Sequence, residues 1–357
     1  MYPDFQYLLQ SLLGVEVPEW VGIFKTFGFF VALGFLAAAW VMSRELKRKE
    51  QEGLLTYEVV EKTEKGVTKK VAVYPHQRVT DIIVLAAITG LIGAKIFNAF
   101  ETWESFIDDP IDNLFSRSGL TFYGGLITAT AALFFYCRKH KIPFVHLADA
   151  TAPALMLSYG IGRLGCHFSG DGDWGIFNSA YITDPVSGTL KAAGQGEYME
   201  MLHIASPYFT SNFGGIANVP HAAVPAPSWL PDWTFAMNYA HNVNNEGMRL
   251  AECAGNYCSV LPVGVFPTSM YEAVACFLLF LLLLAVRKRF RFPLHLFGLY
   301  LVLNGLERFF IEKIRVNYKY DWGFMHPTQA EIISAVLVLT GLGILFLYKH
   351  KPKNTTT

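Results

Sequence analysis

Apolar runs of about 20 residues, the length that crosses a hydrocarbon core, recur along the chain at 20–43, 79–98, 119–137, 148–168, 266–286, 293–312 and 328–348. They predict seven transmembrane helices and an all-α polytopic membrane protein. Between the fourth and fifth runs lies a long segment, 169–262, rich in Gly, Pro, Asn and aromatic residues with few charges. That mixture predicts ordered extramembrane structure in preference to a linker. A second insertion, 44–78, carries many Lys and Glu and alternates between Thr68 and Tyr74, which predicts a small hairpin. The chain is therefore read as one transmembrane domain, 1–349, containing both insertions, with a short tail at 350–357. Met1 to Glu19 lacks a basic leader and the first run is long enough to anchor, so no cleaved signal peptide is expected.

Composition agrees: 52% of the 357 residues are hydrophobic and 16% charged, against about 25% charged for a soluble domain. The formal net charge of zero adds little, but the placement of the cations does. Of 29 Lys and Arg, nineteen lie in 44–78, 138–141, 287–291 and 349–353, and only six in the alternate loops. By the positive-inside rule the N-terminus is outside, the C-terminus is cytoplasmic and 169–262 is an extracytoplasmic loop between helices 4 and 5.

The chemistry concentrates in GRLGCHFSGDGDWG, 162–175. An arginine inside a span is costly and points to a polar cavity that handles a charged group. The bland reading of Arg163 is snorkelling to the interface, against which the flanking glycines suggest close backbone approach. Arg308 has Glu312 at helical i+4 spacing, a pair that can equally orient the guanidinium toward a ligand. Lys95 either contacts a headgroup or snorkels, and its neighbours Gly90, Gly93 and Ala94 suit close helix packing. Cys166, His167, Asp171 and Asp173 are too compressed in sequence for a familiar metal-ligand spacing, and helix-end carboxylates more often cap amides or pair with arginine. Neither metal nor soluble cofactor is expected. Cys253 and Cys258 are either a local disulfide or two free thiols, while Cys137 and Cys276 suit apolar packing.

Several motifs then agree in order. Gly162-Arg163-Leu164-Gly165 through Gly170-Asp171 and Trp174-Gly175 resembles the signature of the prolipoprotein diacylglyceryl transferase family. Asp149-Ala150-Thr151-Ala152-Pro153 is similar to its D-x-x-A-P, and Gly119-Leu120-Thr121-Phe122-Tyr123-Gly124-Gly125 to its aromatic and glycine motif. Pro267-Thr268-Ser269-Met270-Tyr271-Glu272 resembles H-P-[ST]-Q-L-Y-E, and Arg308 to Glu312 with Arg315 resembles R-x-x-x-E-x-x-R. The resemblance runs from about Gly22 to Lys349, excluding the 44–78 insertion and most of the outer loop.

The resemblance implies a multi-pass enzyme of the bacterial inner membrane. It would move a diacylglyceryl group from phosphatidylglycerol to the lipobox cysteine thiol in lipoprotein signal peptides, releasing glycerol phosphate. The partners are then that lipid, those signal peptides and the surrounding membrane, with no nucleic acid. A leaving phosphodiester oxygen develops negative charge, which guanidinium forks stabilise in a low-dielectric site. Arg163 and Arg308 would bind the phosphate, with Asp171 and Glu312 orienting them. Arg315, Gly175, Lys95, Cys166 and His167 complete the expected binding site.

This sequence departs from the family at points that bear on proton handling. Tyr123 stands where the family carries a histidine, Cys166 where it carries Asn, Phe266 where it carries the His of H-P, and Phe27 where it carries Tyr. Asp171 falls where the family has Glu, with one residue inserted before Trp174. The acceptor thiol, with an ordinary pKa of about 8.5, needs a base or a strong positive potential. Tyr123, with a reference value of about 10, serves only if adjacent arginine lowers it, and His167 is its rival. The alternative reading is a non-catalytic or altered-acceptor paralogue that binds phospholipid at the outer leaflet. A retinal pump would need a lysine in the seventh helix before Lys349, and a transporter would show repeated halves; neither feature is present in the sequence.

Overall fold

The computed structural model describes residues 1–64, 67–111, 121–251, 253, 255–290, 292–317, 320–321, 323 and 325–348. The expected tail at 350–357, and Gly119 and Leu120 at the start of the third run and its motif, lie outside the described residues. Among the described residues, seven helices of 18 residues or more fall on the seven apolar runs: α1 (Thr26–Gln51), α2 (Val79–Glu101), α3 (Phe122–Lys139), α4 (Phe144–Ser169), α5 (Thr268–Val286), α6 (His295–Glu312) and α7 (Gln329–Leu347). Four of them, α1, α2, α5 and α7, are long and apolar enough to cross a membrane. The chain divides into two compact units, one comprising 1–34, 155–286 and 298–348 and the other 35–154 and 287–297.

In the second unit α1 continues well past its apolar run. Leu46 is fully buried, and Arg48 pairs with Glu45 at 3.0 Å and Glu52 at 2.8 Å along the helix face. These i,i+3 and i,i+4 pairs sustain a helix where hydropathy stops. The 44–78 insertion also forms the expected hairpin, β1 (Glu58–Glu64) antiparallel to β2 (Val67–Val73). Helices α2 and α3 pack through small residues: a side chain on Gly125 would meet the Gly90 carbonyl at 2.8 Å, and the Thr128 hydroxyl donates to the Thr89 carbonyl at 2.9 Å. Close backbone approach of this kind is how apolar helices associate where burial offers no hydrophobic advantage.

In the first unit the segment between α4 and α5 is ordered around a sheet. β3 (Phe177–Thr183) lies between β4 (Leu190–Ala192) and β5 (His221–Ala222), and also pairs with β8 (Val263–Val265). A separate two-stranded pair joins β6 (Met248–Arg249) to β7 (Ser259–Val260). Phe177, Phe209, Tyr239, Leu261 and Val263 form a core against which the helices Glu197–Ile204 and Ser206–Phe213 pack. Cys253 and Cys258 are joined by a disulfide. These strands correct the all-α expectation outside the long helices. Polar backbone freed from lipid can satisfy its hydrogen bonds in ladders as well as in helices.

Candidate functional site

Arg163 and Cys166 lie in the last two turns of α4, which ends at Ser169. Gly170 and Gly172 then adopt φ of 68° and 66°, left-handed conformations that a Cβ would strain. The double turn reverses the chain and lays 174–177 along two neighbours. Gly175 N–H donates to the Phe266 carbonyl at 2.8 Å and Ile176 N–H to the Ile314 carbonyl at 2.8 Å. The contact is so close that a side chain at Gly175 would strike Ile314 O at 2.7 Å. Thr268, at the start of α5, donates its hydroxyl to the Asp173 carbonyl at 2.8 Å.

That strap brings the ends of α4, α5 and α6 together around a closed set of charges. Asp173 bridges Arg163 and Arg315 through its two carboxylate oxygens. Glu272, fully buried in the second turn of α5, pairs with Arg163, with Arg308 at 3.0 Å and with Arg315 at 3.8 Å. Arg308 reaches Glu312 at 3.0 Å, and Glu312 accepts from Asn317 at 2.7 Å. Arg163 also donates to the Cys166 sulfur at 3.7 Å. Three guanidiniums meet three carboxylates, so no net charge is stranded in a buried setting. Glu307 sits one residue from Arg308 with neither oxygen hydrogen-bonded among the described residues, on an apolar groove of about 390 Å³ lined by Leu278, Leu303, Leu306 and Phe310.

Of the expected site residues, Arg163, Arg308, Glu312, Arg315, Gly175 and Cys166 gather here. Asp171 does not join the ion pairs; Asp173 takes the place expected for it. Left-handed turns at Gly170 and Gly172 flank Asp171, and its carboxyl is held above the usual range by burial and by the neighbouring Asp173 charge. At Asp173 burial also opposes ionisation, but the Arg163 and Arg315 charges outweigh it and hold the carboxyl below the usual range. His167 points to the segment between α4 and α5, its Nδ1 at 3.2 Å from the Tyr239 hydroxyl. Lys95, half-buried in α2, and Tyr123, in the first turn of α3, belong to the other unit. Glu272 and Asp173 were not among the expected roles, although Glu272 closes the P-T-S-M-Y-E motif.

Four helices long and apolar enough to cross a membrane, with a buried arginine–carboxylate cluster at the ends of α4, α5 and α6, define the class as a polytopic membrane protein. The family model for prolipoprotein diacylglyceryl transferase matches residues 21–347, and the chain belongs to that family. It is 24% identical to the phosphatidylglycerol–prolipoprotein diacylglyceryl transferase of Leptospira interrogans, over 95% of this chain and 93% of that one. The proteins of the same name from Enterococcus faecalis (25% identity, 77% of this chain and 76% of that one) and Chlorobaculum tepidum (25%, 79% and 76%) are similar over most of their lengths.

Proposed function

We infer that the chain transfers a diacylglyceryl group from phosphatidylglycerol to the cysteine thiol of lipoprotein signal peptides in the bacterial inner membrane. The observation that carries this reading is Arg163. Its Nε faces Glu272 and its Nη1 faces Asp173, while Nη2 is buried with no acceptor among the described residues. The two carboxylates fix the fork, and its remaining N–H groups are free to meet a phosphate oxygen. Arg308 is the more open guanidinium, with a quarter of its side chain exposed, and supplies a second donor.

In this reaction the thiolate sulfur attacks the glyceryl carbon, the carbon–oxygen bond breaks and the electron pair leaves on the phosphate oxygen. Preorganised guanidiniums stabilise that developing charge without reorganisation. The thiol proton passes to His167. With Nδ1 of His167 donating to Tyr239, its Nε2 carries the lone pair that can accept a proton. The excess of cations in 44–78, 138–141 and 287–291 supports seven spans with the N-terminus outside, which puts the cluster toward the outer leaflet.

The test is transfer from radiolabelled phosphatidylglycerol to a synthetic lipobox peptide by the purified protein. Transfer that Arg163→Ala abolishes and His167→Phe slows is the expected result. Phospholipid binding without transfer would overturn the reaction and identify a paralogue with another acceptor or none.

A further inference from the structure

The unit formed by 35–154 and 287–297 contains a polar cavity that the transfer chemistry does not use. Its volume is about 180 Å³, against the roughly 10–15 Å³ that seats one water. Four cations line it: Arg48 and Lys49 near the C-terminal end of α1, and Arg287 and Lys288 directly after α5. Their carboxylate partners are fewer. Arg287 meets Glu45 at 3.1 Å, Arg48 shares Glu45 and also meets Glu52, and Lys49 meets Asp149 at 3.3 Å. Asp149 additionally accepts the N–H groups of Leu294 at 3.0 Å and Phe297 at 3.1 Å, so its charge is divided among three donors. Lys288 is exposed and makes no ion pair among the described residues. Four cations against three carboxylates leave one positive charge in excess.

On the wall of the same cavity stands His146, 8% exposed, with Nδ1 buried and no hydrogen-bond partner among the described residues. A buried polar nitrogen without a partner is costly and points to a ligand atom that would complete the bond. Phe290, Phe292 and Leu54 supply an apolar side to the wall. We propose that this cavity binds a phosphate group, carried either by an anionic phospholipid headgroup or by free phosphate. The phosphate oxygens neutralise the surplus cation and accept the His146 Nδ1–H. By the distribution of Lys and Arg this is the cytoplasmic end of the helices, where basic pockets meet anionic headgroups.

The experiment uses the full-length protein in detergent micelles with two probes. Inorganic phosphate is titrated against chloride at matched ionic strength, with the thermal unfolding midpoint as readout. Phosphatidic acid, which lacks the glycerol headgroup of the transfer donor, is compared with phosphatidylcholine by native mass spectrometry. Lys288→Gln removes an unpaired exposed cation without stranding a partner, and His146→Phe removes the unpartnered nitrogen. Saturable binding that each variant weakens about tenfold, and that Arg163→Ala leaves intact, supports the site. Binding of phosphatidic acid alone identifies a headgroup, and of phosphate alone a soluble anion. No saturable binding of either probe, binding that both variants leave intact, or binding lost in Arg163→Ala overturns the proposal.

Discussion

Two charged regions of this molecule are built on different rules. Around Glu272 three arginines meet three carboxylates, every member touches at least one of opposite sign, and the central carboxylate is fully buried. Around Asp149 four cations face three carboxylates, and the surplus cation, Lys288, is exposed. The difference shows where imbalance is tolerated. A closed network in low dielectric must neutralise itself, because a stranded charge there costs several kcal/mol, whereas a network with an edge in water can carry an unpaired charge almost freely.

The contrast is tested most severely at Glu272. Glu272→Gln leaves Arg163 and Arg308 short of counter-charge and should destabilise the protein by about 3–5 kcal/mol, read from denaturant unfolding in detergent; a loss below about 1 kcal/mol would show that the cluster is not interdependent. Asp173→Asn should cost about 3 kcal/mol, since two charge-assisted bonds go, and should lower transfer at least tenfold. Acidification probes the same carboxylate. Because its pKa is held below the ordinary value of about 3.9, its stabilisation is complete above that value and is lost as pH falls through the lower folded-state one. The native unfolding midpoint should therefore drop more steeply below about pH 4 than that of Asp173→Asn. Asp149→Ala, which removes the Lys49 pair and two backbone caps, should cost about 2 kcal/mol. The smallest effect belongs to Asp171→Asn. Its carboxyl titrates above the usual range, so ionisation opposes folding, and the variant should be stabilised by at most about 0.5 kcal/mol near neutrality with transfer unchanged within about threefold.

Much of this was legible in sequence. The apolar runs 79–98, 266–286 and 328–348 became α2, α5 and α7 with ends displaced by only a few residues, because hydropathy dominates where every side chain meets lipid or another helix. The C-terminal end of α1 was not legible: Glu45 to Gln51 reads as polar loop, yet Leu46 and its ion pairs hold it helical. At the site, Arg163 could be read because arginine in an apolar setting is rare, and Arg308 and Arg315 through the R-x-x-x-E-x-x-R resemblance. Which aspartate they pair with could not be, since Asp171 and Asp173 differ only by the turns at Gly170 and Gly172. Glu272 was visible in its motif, but its partners lie far away in sequence and nothing local announces them.

The order of segments around β3 sets where this chain can tolerate changes in length. β3 follows the Asp173 turn by only a few residues, and β8 runs almost directly into the helix carrying Glu272. An added residue between Asp173 and Thr183, or between Val263 and Glu272, would turn alternate side chains to the opposite face of the sheet and pull a carboxylate off its arginine. Between β4 and β7 only the exposed turns outside β5 and the Phe209–Tyr239 core can lengthen or shorten without reaching either carboxylate. Surface recognition in that stretch can thus diverge while the charged cluster beneath keeps its geometry.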